Sequence, residues 1–233
     1  MRRSVGVGLL PESRNPGGMP SEGEAAVPTR TEHRRENHIG LVHPEDAEGG
    51  VVEVYREILE DRDGDLDDDL ALSTLWMAFG NDPALLEAFW EHTDHMYSGG
   101  SLPFELKSMI SRVVASVMEC EGCRFFHESA LEREGTDEEA IREMKELRIG
   151  EETFTPTEYE ILVFAEKAAR DPHGITDAEF ERLRELGLSE REVLEVVDCI
   201  AHHVYTAYFQ AITGIVYRGM SREEWASGAT DAE

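Results

Sequence analysis

Hydrophobic residues recur with a helical period through most of the chain between residues 39 and 219. From about 45 to 61 the apolar side chains follow one another at intervals of three or four residues, which predicts an amphipathic helix. The same pattern predicts eight further helices, beginning near residues 70, 83, 103, 123, 138, 156, 177 and 190. No segment shows the alternation of a convincing strand, so the predicted fold class is all-α.

Several of these helices carry a capping signal at their first residue. Thr136 with Glu139 has the spacing of a capping box, in which a hydroxyl and a carboxylate each bond the backbone at the other residue. Thr155 stands before a proline, and Thr176 and Ser189 each precede acidic residues. We therefore expect helices to begin at all four places.

The sequence divides into one predicted domain and two tails. Residues 1–38 are rich in Gly, Pro, Ser, Glu and Arg without periodicity, which predicts a disordered leader. Residues 39–219 form the predicted helical domain, and 220–233 form a loose C-terminal tail. The acidic run 61–69 reads as a solvated turn, because its glycine and glutamate positions do not fit a calcium loop.

The charge balance excludes two classes of partner. With 22 Lys plus Arg against 50 Asp plus Glu, the net charge is −28, whereas binding of nucleic acid or of an anionic membrane surface requires a basic face. Only three of the basic residues are lysines, and a surface of this kind repels itself until salt screens it. We expect a halophilic type of surface on a protein from a salt-loving source; the alternative is an ordinary acidic protein from an Arg-rich genome.

Three cysteines are too few and too odd in number for a secreted disulfide scaffold. No stretch approaches the ~18 apolar residues of a membrane span. The predicted location is therefore the cytoplasm, where a closely spaced cysteine pair indicates redox or metal chemistry.

The segment with the clearest chemistry contains Cys120, Cys123 and His127. On a helix that begins near Cys120, the two sulfurs lie three residues apart on one face, and the imidazole lies one turn further along it. A helix start favours a thiolate, and an adjacent imidazole can exchange a proton with it. A thiolate beside a second thiol can reduce a peroxide.

Two other interpretations of this segment remain open. The same three side chains could bind structural zinc if Cys199, His202 or His203 supplied the fourth ligand. The thiols could also be inert residues of the core.

The chain is similar to the alkylhydroperoxidase D-like group of the carboxymuconolactone decarboxylase superfamily, and most similar to its peroxidase-related branch. The shared pattern is Leu-Pro-x3-Lys-x12-Cys-x2-Cys-x3-His, which comprises Leu102, Pro103, Lys107, Cys120, Cys123 and His127. The segment 81–90 resembles the helix before this motif, and the stretch from residue 156 through the final helix resembles the C-terminal half. The resemblance covers roughly residues 40–216.

The resemblance implies an all-helical homo-oligomer, a trimer or a hexamer, with the cysteine pair in a helical cleft. It implies reduction of a hydroperoxide, in an antioxidant role, by an enzyme that a thiol or dithiol donor recycles. Carried over by position, Cys123 is the thiol that attacks the peroxide, Cys120 the thiol that resolves the intermediate as a disulfide, and His127 the proton-handling partner. No cofactor beyond the Cys120–Cys123 disulfide, and no metal, is implied.

One position departs from the family pattern. Where the fullest proton relay has a glutamate twelve residues before the first cysteine, this chain has Ser108. Glu105, one turn earlier, and His202 or His203 on the final helix are candidates to replace it in the relay. Of these two neighbouring histidines, we expect one to face the core and the other to lean away.

Two further expectations concern the charge near the motif and the activity. The flanking carboxylates of Glu119 and Glu121 are expected to oppose thiolate formation. The alternative functions are lactone decarboxylation, whose enzymes generally lack the cysteine pair, and a non-enzymatic zinc-binding or redox-sensing role.

Overall fold

The computed structural model describes residues 37–60 and 72–215, and within these ranges the secondary structure is entirely helical. The helices are α1 (Gly50–Glu60), α2 (Thr74–Phe79), α3 (Pro83–Ser98), α4 (Phe104–Val117), α5 (Glu121–Glu134), α6 (Glu138–Glu146), α7 (Pro156–Arg170), α8 (Asp177–Glu185) and α9 (Glu190–Thr213). The predicted all-α class is confirmed. The predicted leader up to residue 36, the acidic turn 61–69 and the tail 220–233 lie outside the described residues.

Helix α4 lies at the centre and packs against α5, α6, α7 and α9. Its side chains from Leu106 to Ser116 are all buried, and they include Lys107, Ser111 and Arg112. Because a buried polar group must be hydrogen-bonded, these residues fix where the neighbouring helices can lie. Ser116, for example, donates to the carbonyl of Met144 on α6 at 3.0 Å.

A second core joins α1, α2 and α3 through aromatic side chains. The ring of Phe89 on α3 stacks on Phe79 at a centroid distance of 4.4 Å, and Phe79 stacks in turn on Phe209 of α9 at 4.6 Å. The hydroxyl of Tyr55 on α1 is within hydrogen-bonding distance of the carbonyls of Val42 (2.9 Å) and Trp76 (3.3 Å). This core holds α2 and α3 against the final helix.

Three predicted helix starts are confirmed as complete capping boxes. They lie at Thr155, Thr176 and Ser189. The box predicted at Thr136 is wrong: Asp137 is the N-cap of α6, and its side chain accepts from the backbone N–H of Glu139. The hydroxyl of Thr136 instead donates to the carboxylate of Glu105 at 2.8 Å.

The first two helices begin later than the pattern predicts. A short 3-10 turn occupies Pro44–Asp46, and α1 begins only at Gly50. Gly49 has a φ of +58°, a left-handed conformation that interrupts the helix at low cost in glycine. Helix α2 begins at Thr74 rather than near residue 70.

An ion pair between a buried arginine and a partly exposed glutamate connects α4 to α5. Arg112 is fully buried, and its guanidinium donates to the carboxylate of Glu128 at 3.1 Å and to Ser116 Oγ at 2.6 Å. Burial lowers the pKa of Arg112, while Glu128 opposes that effect. Glu128 follows directly after His127 on α5, so this pair helps to set the rotation of the helix that carries the cysteine motif.

No helix in the described part of the chain is long and apolar enough to cross a membrane.

We expect Glu128→Gln to lower the free energy of unfolding by about 2 kcal/mol, because it leaves the Arg112 charge buried without a carboxylate. Denaturant unfolding in concentrated KCl measures this change. Glu132→Gln, an exposed position on the same helix, is the matched control. Equal stability of the two variants would contradict the structural role of the pair.

Candidate active site

The cysteine motif lies where the chain turns from α4 into α5. Glu119 adopts a left-handed conformation with a φ of 52°, and this tight turn brings Cys120 to the N-cap of α5. Cys120 and Cys123 form a disulfide across the first helical turn, with their Cα atoms 5.3 Å apart. The two sulfurs therefore lie together at the positive end of a helix dipole.

The sulfur of Cys123 is also held by the final helix. The side-chain amide of Gln210 on α9 donates to Cys123 Sγ at 3.0 Å. Cys123 is only 6% exposed, so this donor acts where few water molecules compete with it. A hydrogen bond of this kind stabilises negative charge on sulfur.

His127 lies one turn beyond Cys123 and is buried. The edge of its ring contacts His203 of α9, with centroids 4.7 Å apart, and the ring of Tyr97 lies 6.3 Å away. Three helices, α3, α5 and α9, thus bring imidazole and phenol groups together beside the disulfide.

His203 has a defined tautomer. Its Nδ1 lies 2.8 Å from the carbonyl oxygen of Cys199, which can only accept, so Nδ1 carries the proton. Its Nε2 consequently accepts from the hydroxyl of Tyr97 at 2.9 Å. Burial lowers the pKa of His203 to about 4, and the ring is neutral at pH 7.

His202, its neighbour, is buried as well. Its ring stacks on Phe89 with centroids 5.1 Å apart and planes 5° apart. Burial and the nearby imidazoles of His203 and His92 keep the pKa of His202 far below its ordinary value. The expectation that one of the two histidines leans away is therefore wrong: both are 5% exposed or less.

A cavity of about 80 Å³ opens beside Cys123, between α2, α3, α5 and α9. Its walls combine aromatic rings, imidazoles and small polar groups, and the described residues that line it are Ser73, Thr74, Leu75, Trp76, Phe89, Thr93, Tyr97, Gly122, Cys123, Phe126, His127, His202, His203, Thr206 and Gln210. None of them is Asp, Glu, Lys or Arg. In a chain with 50 acidic residues, the described residues of this wall carry no formal carboxylate charge.

The cavity brings together four of the six residues predicted from the sequence: Cys123, His127, His202 and His203. Cys120 is bonded to Cys123 but does not line the cavity. The remaining residue, Glu105, is not brought there, since its carboxylate accepts from Thr136. Ser108 is fully buried in α4, and its hydroxyl has no hydrogen-bond partner.

The flanking carboxylates are expected to oppose thiolate formation, and the structure alters this expectation at Glu121. Glu121 forms an ion pair with Arg124, one turn along α5, and Arg124 also donates to the carbonyl of Ser116 at 3.1 Å. The negative charge of Glu121 is therefore largely compensated near the sulfurs.

The third cysteine packs behind His203 and does not line the cavity. Cys199 is fully buried, and burial raises the pKa of its thiol to about 12. Among residues 37–60 and 72–215, no group of three or more His, Cys, Asp and Glu side chains is arranged to hold a metal ion. The four ligands of the zinc interpretation are not assembled in this structure.

Sequence reasoning missed Gln210, Tyr97 and Phe89 as residues of the site. Gln210 lies 87 positions from Cys123, and no local motif signals such a contact. Phe89 and Trp76 are apolar and buried, and their sequence context carries no signal beyond that of ordinary core residues. Only the packing of α2, α3 and α9 shows that the same side chains form a cavity wall.

No protein-family model and no curated protein sequence matches this chain. Its structure is similar to that of a peroxidase-related protein from Silicibacter sp. TM1040, at 21% sequence identity and a TM-score of 0.63, over 72% of this chain and 85% of the other. A peroxidase-related protein from Ralstonia eutropha JMP134, an alkylhydroperoxidase D core, gives 17% identity and a TM-score of 0.66, over 83% and 97%.

A third similar structure is that of the debrominase Bmp8, at 18% identity and a TM-score of 0.61, over 77% of this chain and 91% of the other. A variant of Bmp8 has been solved in complex with 2,3,4-tribromopyrrole. At these identities the likeness shows the fold alone. The chain has the all-helical fold of the alkylhydroperoxidase D-like, peroxidase-related proteins.

Proposed function

We propose that the protein is a thiol-dependent peroxidase that reduces organic hydroperoxides through the Cys120–Cys123 pair. The observation that carries this proposal is the position of the disulfide: it closes over the first turn of α5, and Cys123 faces a cavity next to His127 and Gln210. A nucleophile, a partner thiol, a hydrogen-bond donor and a proton carrier are thus available at one place.

The reaction balances with these groups alone and an external reductant. The Cys123 thiolate attacks one peroxide oxygen, the O–O bond breaks, and the leaving alkoxide takes a proton and departs as an alcohol. Cys123 is then a sulfenic acid, and attack by the Cys120 thiol on its sulfur forms the disulfide and releases water. A thiol or dithiol donor reduces the disulfide and is itself oxidised.

The surroundings of Cys123 support its role as the attacking thiol. It faces the cavity, whereas Cys120 does not, and it lies near the N-terminus of α5 with Gln210 donating to its sulfur. Arg124 forms an ion pair with the flanking carboxylate of Glu121. These features favour a thiolate without the glutamate that Ser108 replaces.

His127 is the proposed proton carrier. It is the imidazole one helical turn from Cys123, and it lines the same cavity. His202 and His203 are neutral at pH 7 because burial lowers the pKa of each, so we assign them to the wall of the cavity rather than to proton donation. Tyr97 holds His203 in place.

Lactone decarboxylation is less well supported. A carboxymuconolactone carries carboxylate groups, and a buried carboxylate needs a cationic partner. No lysine or arginine is among the described residues that line the cavity.

The donor, the oligomeric state and the compartment stay predictions. A surface feature that agrees with the expected homo-oligomer is an apolar stripe along α9. Its exposed members form two groups with internal spacings of three or four residues: Leu194 and Val197, then Tyr205, Tyr208 and Ile212.

We expect one equivalent of organic hydroperoxide to remove two thiols from the reduced protein, as measured by thiol titration in high salt. Cys120→Ser should stop at a sulfenic acid on Cys123, which a dimedone adduct detects by mass spectrometry. Cys123→Ser should not react. Retention of all thiols by the wild type would refute the peroxidase proposal, and the reverse behaviour of the two variants would exchange their roles.

We expect Gln210→Met in a Cys120→Ser background to slow alkylation of Cys123 by iodoacetamide at pH 7 by about tenfold, because a hydrogen bond to an ionised group contributes about 1.5 kcal/mol. Cys199 does not interfere, since its thiol is buried and its pKa is about 12. Tyr208→Phe, on the exposed face of α9, is the control. An unchanged alkylation rate in Gln210→Met would exclude a role in thiolate stabilisation.

The aromatic cavity beside the cysteine pair favours a second candidate, reductive debromination of a neutral ring. The net reaction converts a C–Br bond to C–H and releases bromide as two thiols become a disulfide. We expect reduced protein incubated with 2,3,4-tribromopyrrole to release one bromide for each thiol pair lost, measured by ion chromatography. Thiol loss with hydroperoxide but no bromide release would support the peroxidase proposal and refute the debrominase candidate.

A further inference from the structure

The cavity beside Cys123 has largely aromatic walls, although the protein as a whole is strongly acidic. Four aromatic side chains contribute to it, namely Trp76, Phe89, Tyr97 and Phe126, together with the ring of His202 stacked on Phe89. The protein carries a net charge of −28, yet no acidic or basic side chain is among the described residues that line this space. Such a wall attracts an apolar ring, and its described residues offer the carboxylate of a bound anion no lysine or arginine.

The size of the cavity limits what can use this wall. A dry cavity of ~150 Å³ holds a benzene molecule. The space here is about 80 Å³, so a bound ring reaches the aromatic wall and stands partly in the mouth. Hydrogen peroxide, with two heavy atoms, covers little of the wall and gains little from it.

The cavity combines a polar part around Cys123 with an aromatic part. Cys123 and its donor Gln210 are contributed by α5 and α9, whereas Phe89 and Tyr97 are contributed by α3 and Trp76 by α2. A molecule with an apolar ring and one uncharged polar group can satisfy both parts at once. An aliphatic group lacks the flat face that stacks on such rings.

We propose that this cavity is a binding site for uncharged substrates that carry an aromatic ring, and that it selects them over hydrogen peroxide, aliphatic hydroperoxides and aromatic anions. For catalysis this rests on the proposed peroxidase function, in which the ring-bearing hydroperoxide is reduced to its alcohol. The binding preference itself does not depend on that reaction.

The kinetic test compares four oxidants on the reduced protein. We expect cumene hydroperoxide to oxidise the cysteine pair at least tenfold faster than tert-butyl hydroperoxide, hydrogen peroxide or a cumene hydroperoxide that bears a para-carboxylate. Each rate constant is divided by that of free N-acetylcysteine with the same oxidant, which removes differences in intrinsic reactivity. Stopped-flow tryptophan fluorescence follows the reaction.

A matched pair of variants tests the wall. Phe126→Leu should lower the ratio of the cumene hydroperoxide rate to the tert-butyl hydroperoxide rate several-fold. Phe180→Leu should leave this ratio unchanged, because Phe180 packs on Phe164 at a centroid distance of 5.5 Å, away from the cavity. Equal changes in both variants would contradict a specific role for the wall.

A binding measurement separates failure of this inference from failure of the peroxidase proposal. The disulfide form should bind 2-phenyl-2-propanol, an unreactive analogue, at least tenfold more tightly than benzoate or tert-butanol, by calorimetry. Equal oxidation by all four oxidants would retain the peroxidase and overturn the selectivity. If no oxidant reacts, the peroxidase proposal fails, and preferential binding of the neutral ring would still support the site; equal or absent binding would overturn it.

Discussion

The structure depends on the burial of α4, a helix that carries several polar side chains among its apolar ones. Helix α4 is surrounded by α5, α6, α7 and α9, and desolvation makes each of its polar side chains costly unless a partner is in place. Lys107 donates to the carbonyl of Gly99, Ser111 to the carbonyl of Lys107, and Arg112 to Glu128. The bonds of Lys107 and Arg112 tie α4 to the end of α3 and to α5, and they lie close to the site because the cysteine motif begins only three residues after α4 ends.

The cysteine chemistry takes place at the start of α5, next to the helices that surround α4. The disulfide joins the N-cap of α5 to a residue in its first turn, so reduction and oxidation alter one helical turn. The groups contributed by other helices form fixed surroundings. Gln210 donates a hydrogen bond to the sulfur of Cys123, and Tyr97 is hydrogen-bonded to His203 in the cavity wall. A rigid set of neutral donors of this kind can stabilise a thiolate without a charged base.

The sequence allowed prediction of what is encoded locally. The helices, the helix starts at Thr155, Thr176 and Ser189, and the faces of Cys123 and His127 follow from periodicity and spacing, which act over a few residues. The capping box at Thr136 failed because Asp137 competes for the same helix start and Thr136 finds a partner on α4. Gln210, Tyr97 and Phe89 could not be predicted as site residues, because their role depends on how distant helices pack. His202 and His203 are both buried because residues of α3 pack against them. The sequence of α9 alone does not show this contact.

The absence of formal charge among the described residues of the cavity wall gives the two halves of the proposed cycle different sensitivities to ionic strength. A neutral hydroperoxide experiences no long-range force from a protein of charge −28, so its encounter with Cys123 proceeds at the same rate in dilute and concentrated salt. A negatively charged dithiol donor is repelled until counterions screen the surface. With such a donor, salt acts more strongly on the return of electrons than on the encounter with oxidant, and in dilute buffer the proposed cycle would leave more of the protein in its disulfide form.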